Sequence, residues 1–385
     1  VWDRATLRPV HNAIVWQDRR TTARCQELMK AGCQEMVRER TGLVIDPYFS
    51  ATKLEWILRD KEMMRRAAAG ELAFGTIDSW LVARLTGGAV HVTDHTNASR
   101  TMLYNLDTAD WDPGLLALFD VPPEVLPELA ASGQVVGESL PEYLGAAVPI
   151  AGMAGDQQSA LYGQGCVEAG RAKNTYGTGA FLLVHTGERR PETAEGLLTT
   201  VAAGPAGEPA FALEGSIFIA GAAVQWLRDG LGILEKASDS EAMAKSVPDN
   251  GGVYFVPAFV GLGTPHWEPG ARGTITGLTR GTTRAHLVRA ALESMAYGTA
   301  DLLDAMERGG GLAVPELRVD GGASANDWLM QFQADVLGRP VERPDMVETT
   351  ALGAAGLAGV TLGIWKSPED FLSHRRFDRF ESGIS

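Results

Sequence analysis

Cysteine, basic charge and long apolar runs are what this sequence has least of. Its 385 residues include three cysteines, Cys25, Cys33 and Cys166. Their spacing suits no metal site and their odd number suits no disulfide framework, so the chain reads as one made for a reducing cytoplasm. Lys and Arg number 34 against 48 Asp and Glu, a formal net charge of −14. That sign argues against a phosphate-backbone partner, hence against nucleic acid. No apolar run approaches the roughly 18 residues a membrane-spanning helix needs. Nor is there an initiator Met: the chain opens on Val1-Trp2-Asp3, which reads as mid-strand.

What is present is an ordinary globular composition, 45% hydrophobic and 21% charged. The length is too great for one compact core and suits two domains. Glycine is abundant at 45 residues, which favours tight turns and close backbone approaches.

The most informative stretch runs from Ile150 to Phe181. Val148 to Met153 is apolar and short enough for a buried strand. Its end leaves Asp156, in Gly155-Asp156-Gln157-Gln158, at a carboxyl edge, where open α/β sheets place ligands. A carboxylate there can act as a general base toward a hydroxyl. Thr175-Tyr176-Gly177-Thr178-Gly179 then offers backbone N–H groups and hydroxyls with little steric bulk, the chemistry of a phosphate turn. Base plus phosphate turn is the minimum for phosphoryl transfer to an alcohol. The competing reading is a plain strand–helix turn followed by a glycine hairpin, and these residues alone leave both open.

In chain order, Val1 to Val15 reads as two short strands around a turn, followed by Trp16 and a helix through Ala23, Leu28 and Met29. Asp46-Pro47 makes a turn that puts Tyr48 at a loop tip. Lys53 and Trp56 fall on the packing face of the next helix. His91 and His95 stand four apart, but their segment has no helical period and no third ligand, so a hydrogen-bonded loop through Thr96 to Arg100 is expected instead of a metal pair. A hairpin region follows Thr186 and runs to Ala212. Gly215 to Gly221 reads as a strand leading into a helix from Ala222 to Leu227. His286 to Met306 is a long helix that Thr282 or Thr283 would cap. Leu317 to Asp320 is a strand, and a helix opens at Ser324 with Asp327 completing an approximate capping box. Thr349 to Gly363 is a helix of small residues suited to close approach to a sheet.

The runs AGDQQSALYGQ and NTYGTGAF resemble the sugar and polyol kinases of the glycerol, xylulose and gluconate kinase family. NAIVWQDRR, IDPYFSATK and RVDGGASAND agree in the same order, so the likeness spans nearly the whole chain. It is strongest to the members that act on glycerol. Asp60 departs from the family's first signature, where an amide or Glu is usual.

The resemblance implies an α/β protein of two actin-like (ribonuclease H-like) domains, residues 1–164 on the glycerol side and 165–385 on the nucleotide side, with the active site in the cleft between them. It implies ATP and Mg²⁺ as co-substrate and metal, glycerol as acceptor, and a cytoplasmic homo-oligomer, dimer or tetramer. Trp16 and Phe181 would form an apolar slot for a three-carbon chain. Tyr48, Asp156 and Gln157 would hold its hydroxyls. Asp156 would be the base and, directly or through water, a Mg²⁺ ligand. Thr178, Gly179, Gly221, Gln225, Gly322 and Asn326 would face the nucleotide. Another small polyol or sugar as acceptor, an actin-like ATPase without an acceptor, and a catalytically silent relative are the alternatives.

Two expectations come from what the likeness does not cover. Some glycerol-acting members bind fructose bisphosphate through an Arg just before the base strand, where this chain has Gly145-Ala146-Ala147. Others are phosphorylated on a nearby His, at a position that here holds Glu142. Neither control is expected through this loop. The family's opening Asp-Gly-Thr-Thr-type phosphate hairpin and its Arg-Glu glycerol pair are not found, nor is its closing helix beyond Phe380-Glu381-Ser382. The 385 residues are therefore expected to be a fragment of a longer protein, poorly soluble and inactive if expressed as written.

Overall fold

A seven-stranded mixed sheet fills the second half of the molecule. This computed structural model describes residues 1–383 apart from 193–195, 269, 347 and 374. The strands are β1 (Ala172–Tyr176), β2 (Ala180–Gly187), β3 (Leu198–Ala203), β4 (Pro209–Ile217), β5 (Leu317–Asp320), β6 (Val341–Pro344) and β7 (Phe377–Phe380). Their order across the sheet is β3-β4-β2-β1-β5-β6-β7. β1 to β4 form antiparallel hairpins, with Phe181 opposite Thr175 on one side and Ser216 on the other. β5 then joins β1 in parallel, pairing Asp320 with Thr175. β2 is central, and its run Leu182-Leu183-Val184 is buried, as a strand covered on both faces should be. Residues 193–195, inside the expected Thr186–Ala212 hairpin region, lie outside the described residues.

Helices cover this sheet. They include α2 (Asp156–Gly163), α3 (Gly221–Asp229), α4 (Arg284–Gly310), α5 (Asp327–Leu337) and α6 (Thr349–Thr361), while α1 (Ala51–Leu58) lies in the first half of the chain. α4 starts where a Thr283–His286 capping box satisfies its first amides, and it stops at Gly311, whose φ of 62° is the left-handed conformation that favours glycine. α5 is capped by Asn326, whose side chain accepts from the Leu329 N–H at 2.9 Å. This corrects the expected start at Ser324: residues 322–325 form a single 3₁₀ turn, and Ser324 donates back to the Gly321 carbonyl instead.

The first half builds its own apolar core from Val37, Leu43, Leu54, Leu58, Leu103 and Phe119 among others. Its described strands pair only in twos. Leu198 of β3 inserts into this core, and Val201 packs with Ala98 and Tyr104, so the edge of the large sheet is also a wall of the first half.

Two expected strands are shorter than the apolar pattern suggests. In the Val1–Val15 region Trp2–Asp3 pairs with Leu72–Ala73 and Trp2 also bridges Pro9, while Asn12 to Val15 has no ladder partner and leaves Val15 and Trp16 each 55% exposed. In Val148–Met153 only Pro149–Ile150 pairs. Beyond it α6 occupies the flank: a Cβ on Gly152 would stand 2.6 Å from the Ala354 carbonyl oxygen.

The small-residue helix also has a different partner from the one expected. α6 packs against α2, helix on helix. A Cβ on Gly353 would lie 1.8 Å from the Ser159 carbonyl oxygen, and one on Gly163 would lie 2.2 Å from that of Thr349. Backbone therefore touches backbone where the two helices cross, and only glycine permits it.

Candidate active site

Asp156 is the first residue of α2, exposed, with one carboxylate oxygen accepting from the Gln157 N–H at 2.8 Å. A negative charge at a helix amino terminus interacts favourably with the helix dipole. The helix beneath it is fixed at both ends. Asp94 accepts from the Thr96 hydroxyl at 2.6 Å, and that hydroxyl in turn accepts from the Gly155 N–H at 2.8 Å. Gln158 donates to Thr200 of β3 at 2.9 Å. At the far end Arg375 donates to the Gly163 carbonyl at 2.6 Å, Arg318 donates to that of Gln164, and Ser159 donates to that of Thr350 at 2.6 Å. Both halves of the chain thus supply the groups that hold the Asp156 helix.

The neighbour of Asp156 is tied to the phosphate turn. Lys173 of β1, fully buried, donates to Oε1 of Gln157 at 2.6 Å and to Oγ1 of Thr175 at 2.8 Å. Burial pushes its ammonium pKa down, and the carboxylates of Asp320, Glu214 and Asp156 oppose that shift. β1 continues into Gly177-Thr178-Gly179, which closes on itself through Gly177 N–H to the Gly179 carbonyl at 2.8 Å. The turn is seated on α3. The Thr178 carbonyl accepts from the Ala220 and Ala222 N–H groups, and the Gly177 carbonyl accepts from that of Gly221. A Cβ on Gly221 would stand 2.5 Å from the Gly177 carbonyl oxygen, so this glycine is needed for packing within the chain. Gln225, one turn further along α3, is exposed, as is Thr178.

Near β5 the two glycines differ. Gly321 has φ 83° and no room for a Cβ, which would lie 2.4 Å from the Tyr176 carbonyl oxygen. A Cβ on Gly322 would meet nothing within 4 Å, so the fold itself does not demand glycine there. Asn326 beside it spends Oδ1 on capping α5 and reaches Ser240 at 3.4 Å.

On the other side, Tyr48 stands in the expected turn, which the Phe49 N–H closes onto the Asp46 carbonyl at 3.3 Å, and it is half-buried because three groups pack on it. Trp16 meets it edge-on at 5.6 Å, Phe49 at 5.0 Å, and the Arg100 guanidinium lies over its ring at 5.6 Å. Burial raises the phenol pKa, Arg100 opposes this, and Glu214 and Asp156 add to it. Lys53, 6% exposed, donates to the carbonyls of Val15 at 2.9 Å and Tyr48 at 3.2 Å and so holds the Trp16 and Tyr48 loops together. Phe181 sits half-buried on β2.

Three polar groups that sequence reasoning passed over belong to this surface. Arg100 pairs with Glu214 of β4 at 2.9 Å, the carboxylate being 2% exposed. Burial works against the Arg100 charge, and Glu214 and Tyr48 outweigh it, so its pKa stands above the usual value. The third is Lys173. The sequence carried no signal for it, because Lys173 stands among the polar neighbours Arg171, Asn174 and Thr175. His91 and His95, by contrast, are engaged elsewhere. His91 bonds the Phe74 carbonyl at 2.7 Å and Arg4 at 2.9 Å, and His95 bonds the Tyr104 hydroxyl at 2.8 Å.

Against known proteins, residues 1–163 match the N-terminal domain of the FGGY family of carbohydrate kinases and residues 172–362 match its C-terminal domain. The chain belongs to the FGGY family. Among similar FGGY members, glycerol kinase of Carboxydothermus hydrogenoformans is 59% identical over 381 residues, covering 98% of this chain and 76% of that protein. Glycerol kinase 2 of Thermotoga maritima is 58% identical over 387 residues, covering 100% of this chain and 78% of that protein. The crystal structure of Plasmodium falciparum glycerol kinase with ADP superposes with a TM-score of 0.94 at 36% identity, covering 100% of this chain and 77% of that one. Gluconate kinase of Lactobacillus acidophilus, at 22% identity and TM-score 0.84, shares the FGGY fold. The expected α/β, actin-like fold class and the expected family both stand. Among the described residues, no helix is long and apolar enough to cross a membrane.

Proposed function

We propose that this chain is a glycerol kinase, transferring the γ-phosphoryl group of ATP to glycerol to give sn-glycerol 3-phosphate and ADP. One observation carries the reading beyond likeness: Lys173 joins Gln157, the neighbour of Asp156, to Thr175 on the strand that enters the Gly177–Gly179 turn, so the acceptor side and the phosphate side are linked by hydrogen bonds. Glycerol lies with its carbons against Trp16 and Phe181 and its hydroxyls on Tyr48, Asp156 and Gln157. A carboxylate oxygen of Asp156 takes the proton of the terminal hydroxyl. The glycerol hydroxyl oxygen that loses the proton forms its bond to the γ-phosphorus as the bond between that phosphorus and the ADP oxygen breaks, in line. N–H groups of the Thr178 turn steady the phosphates. Gly221 and Gln225 of α3, together with Gly322 and Asn326, face the nucleotide; the open space at Gly322 supports this, since a ligand would explain the glycine.

Mg²⁺ fits this donor set in one way. Among the described residues there is no cluster of three ligating side chains, and Asp156 is a single exposed carboxylate. A hard cation held mainly by substrate phosphates and water, with one carboxylate touching it or its water, needs no more. It would neutralise charge on the transferring group. We place the domain division at 164/165, the protein in the cytoplasm, and its assembly as a homo-oligomer.

The test is Asp156→Asn. The amide keeps size and part of the hydrogen bonding but accepts no proton at neutral pH. Glycerol-dependent ADP release should fall about 10²–10⁴-fold while calorimetric glycerol binding persists. A variant that keeps more than about a tenth of the wild-type rate removes Asp156 from the base role. ATP turnover equal with and without glycerol would favour an actin-like ATPase instead.

A further inference from the structure

The Lys173 contact fixes more than position. An ammonium carries three donors and no acceptor, whereas a glutamine amide carries an acceptor oxygen at one corner and donor N–H groups at the other. Lys173 lies 2.6 Å from the Gln157 amide, so only the oxygen can face it. The lysine is fully buried on β1, between buried Asn174 and Ala172, and its second bond to Thr175 at 2.8 Å holds the ammonium in place. The Gln157 amide is therefore locked with Nε2 turned away from Lys173. Asp156, the adjacent residue, presents the opposite polarity, an acceptor.

We propose that Lys173 is a positioning residue for the acceptor alcohol: by holding Oε1 of Gln157, it makes Nε2 a fixed donor beside the acceptor carboxylate of Asp156. The pair then matches two neighbouring hydroxyls, one giving its proton to Asp156 and the other offering a lone pair to Gln157. Without Lys173 the amide is free to flip, and half of its orientations set oxygen against oxygen. The same bond joins the acceptor side to the strand that enters the phosphate turn, so Lys173 acts on glycerol only through Gln157. This inference rests on the proposed glycerol kinase reading and on Gln157 as a glycerol contact.

The test is a double-mutant cycle on the full chain, read by steady-state kinetics and by calorimetric titration of glycerol. Lys173→Met keeps the length of the side chain and removes its donors. It should raise the glycerol KM and Kd about 10- to 100-fold, the scale of one charge-assisted hydrogen bond, while the ATP KM changes by less than about twofold. Gln157→Ala should have a similar effect, and Lys173→Met added to it should change glycerol affinity by less than about twofold, because residues acting as one unit are not additive. Gln157→Glu guards against misfolding of the lysine variant. It keeps an acceptor for Lys173, removes the N–H donor, and should lose glycerol affinity to the same extent. Unchanged glycerol affinity in folded Lys173→Met, or additive losses in the cycle, overturns the positioning role. Unchanged affinity in both Gln157 variants overturns the Gln157 contact and leaves the kinase reading standing. Wild-type protein that turns over ATP with another polyol or sugar, or with no acceptor, but neither binds nor phosphorylates glycerol overturns the glycerol kinase reading itself.

Discussion

At the scale of single residues, this site shows how neighbours assign roles that side-chain type leaves open. Asp156 and Asp320 are both carboxylates near the phosphate turn. Asp320 is 2% exposed and accepts from Gln164 at 3.0 Å and from Thr349, whereas Asp156 is exposed with most of its acceptor capacity unspent. Only the second can meet a substrate proton. Phe181 is the complementary case on the apolar side, half-buried on a strand whose neighbours Leu182 and Leu183 are wholly buried. If it forms one wall of the glycerol slot, Phe181→Ala should weaken glycerol binding by roughly 1–3 kcal/mol, the worth of one buried apolar side chain. The same change should admit longer polyols. Unaltered glycerol affinity and selectivity, measured by calorimetry and by competing substrates, would return Phe181 to the core.

At the scale of elements, the decisive contact is between α2 and α6. The base sits on a helix whose packing partner is a run of small residues nearly two hundred positions away in sequence. The fit allows no added atom at Gly353. Gly353→Val should therefore displace α2, costing about 1–3 kcal/mol of stability through overpacking. Turnover should fall by about tenfold or more, because ångström-scale shifts of a catalytic group are expensive in rate. Ala355→Val, on the exposed face of α6, serves as the control and should leave both quantities unchanged. Equal behaviour of the two variants in denaturant titration and ADP-release assays would show that the helix crossing does not position Asp156. The spacing of glycines in TTALGAAGLAG was visible in the sequence, but which element they admit was not.

At the scale of the whole molecule, the two halves are joined by charge as well as by the β3 edge. Arg100 and Glu214, 114 positions apart, form a pair whose carboxylate is buried and whose guanidinium is mostly so. Arg100→Ala would strand the carboxylate and should cost about 3–5 kcal/mol in unfolding free energy. The double replacement Arg100→Met with Glu214→Leu should recover most of that loss, since no buried charge is left without a partner. A loss below about 1 kcal/mol in the single variant would show that the pair is not a structural link. The stability of the first half should also depend on pH through His91. Burial lowers its pKa to about 4, and its ring nitrogen sits against Arg4, an arrangement that requires the neutral imidazole. The unfolded chain takes up a proton near pH 6.5 and the folded one only near 4, so stability is complete above about 6.5 and falls as the pH drops toward 4. The loss should reach at most about 3 kcal/mol. His91→Gln should lack that part of the slope between pH 7 and 5. Parallel slopes for the two proteins in urea titrations would contradict it.

The sequence by itself determined the motifs and their order: the acid before a helix, the Gly-Thr-Gly turn, a capped long helix through His286 to Met306, which the structure extends to Arg284–Gly310, and the paired glycines after Asp320. These are local facts, set by propensity, turn chemistry and apolar period; the family came from the resemblance of five stretches that agree in order. Strand extent was legible only in part, because a strand needs a neighbour. Asn12 to Val15 and Ala151 to Met153 have the composition of strands and no ladder to join. The partners of Lys173, Arg100 and Lys53 were decided only by the tertiary structure. A lysine or arginine in a sequence is read as solvated by default, and these three are withdrawn from water by elements far along the chain. Their charges are tolerable only because folding brings carbonyls, a glutamine oxygen and a carboxylate within hydrogen-bond distance of them.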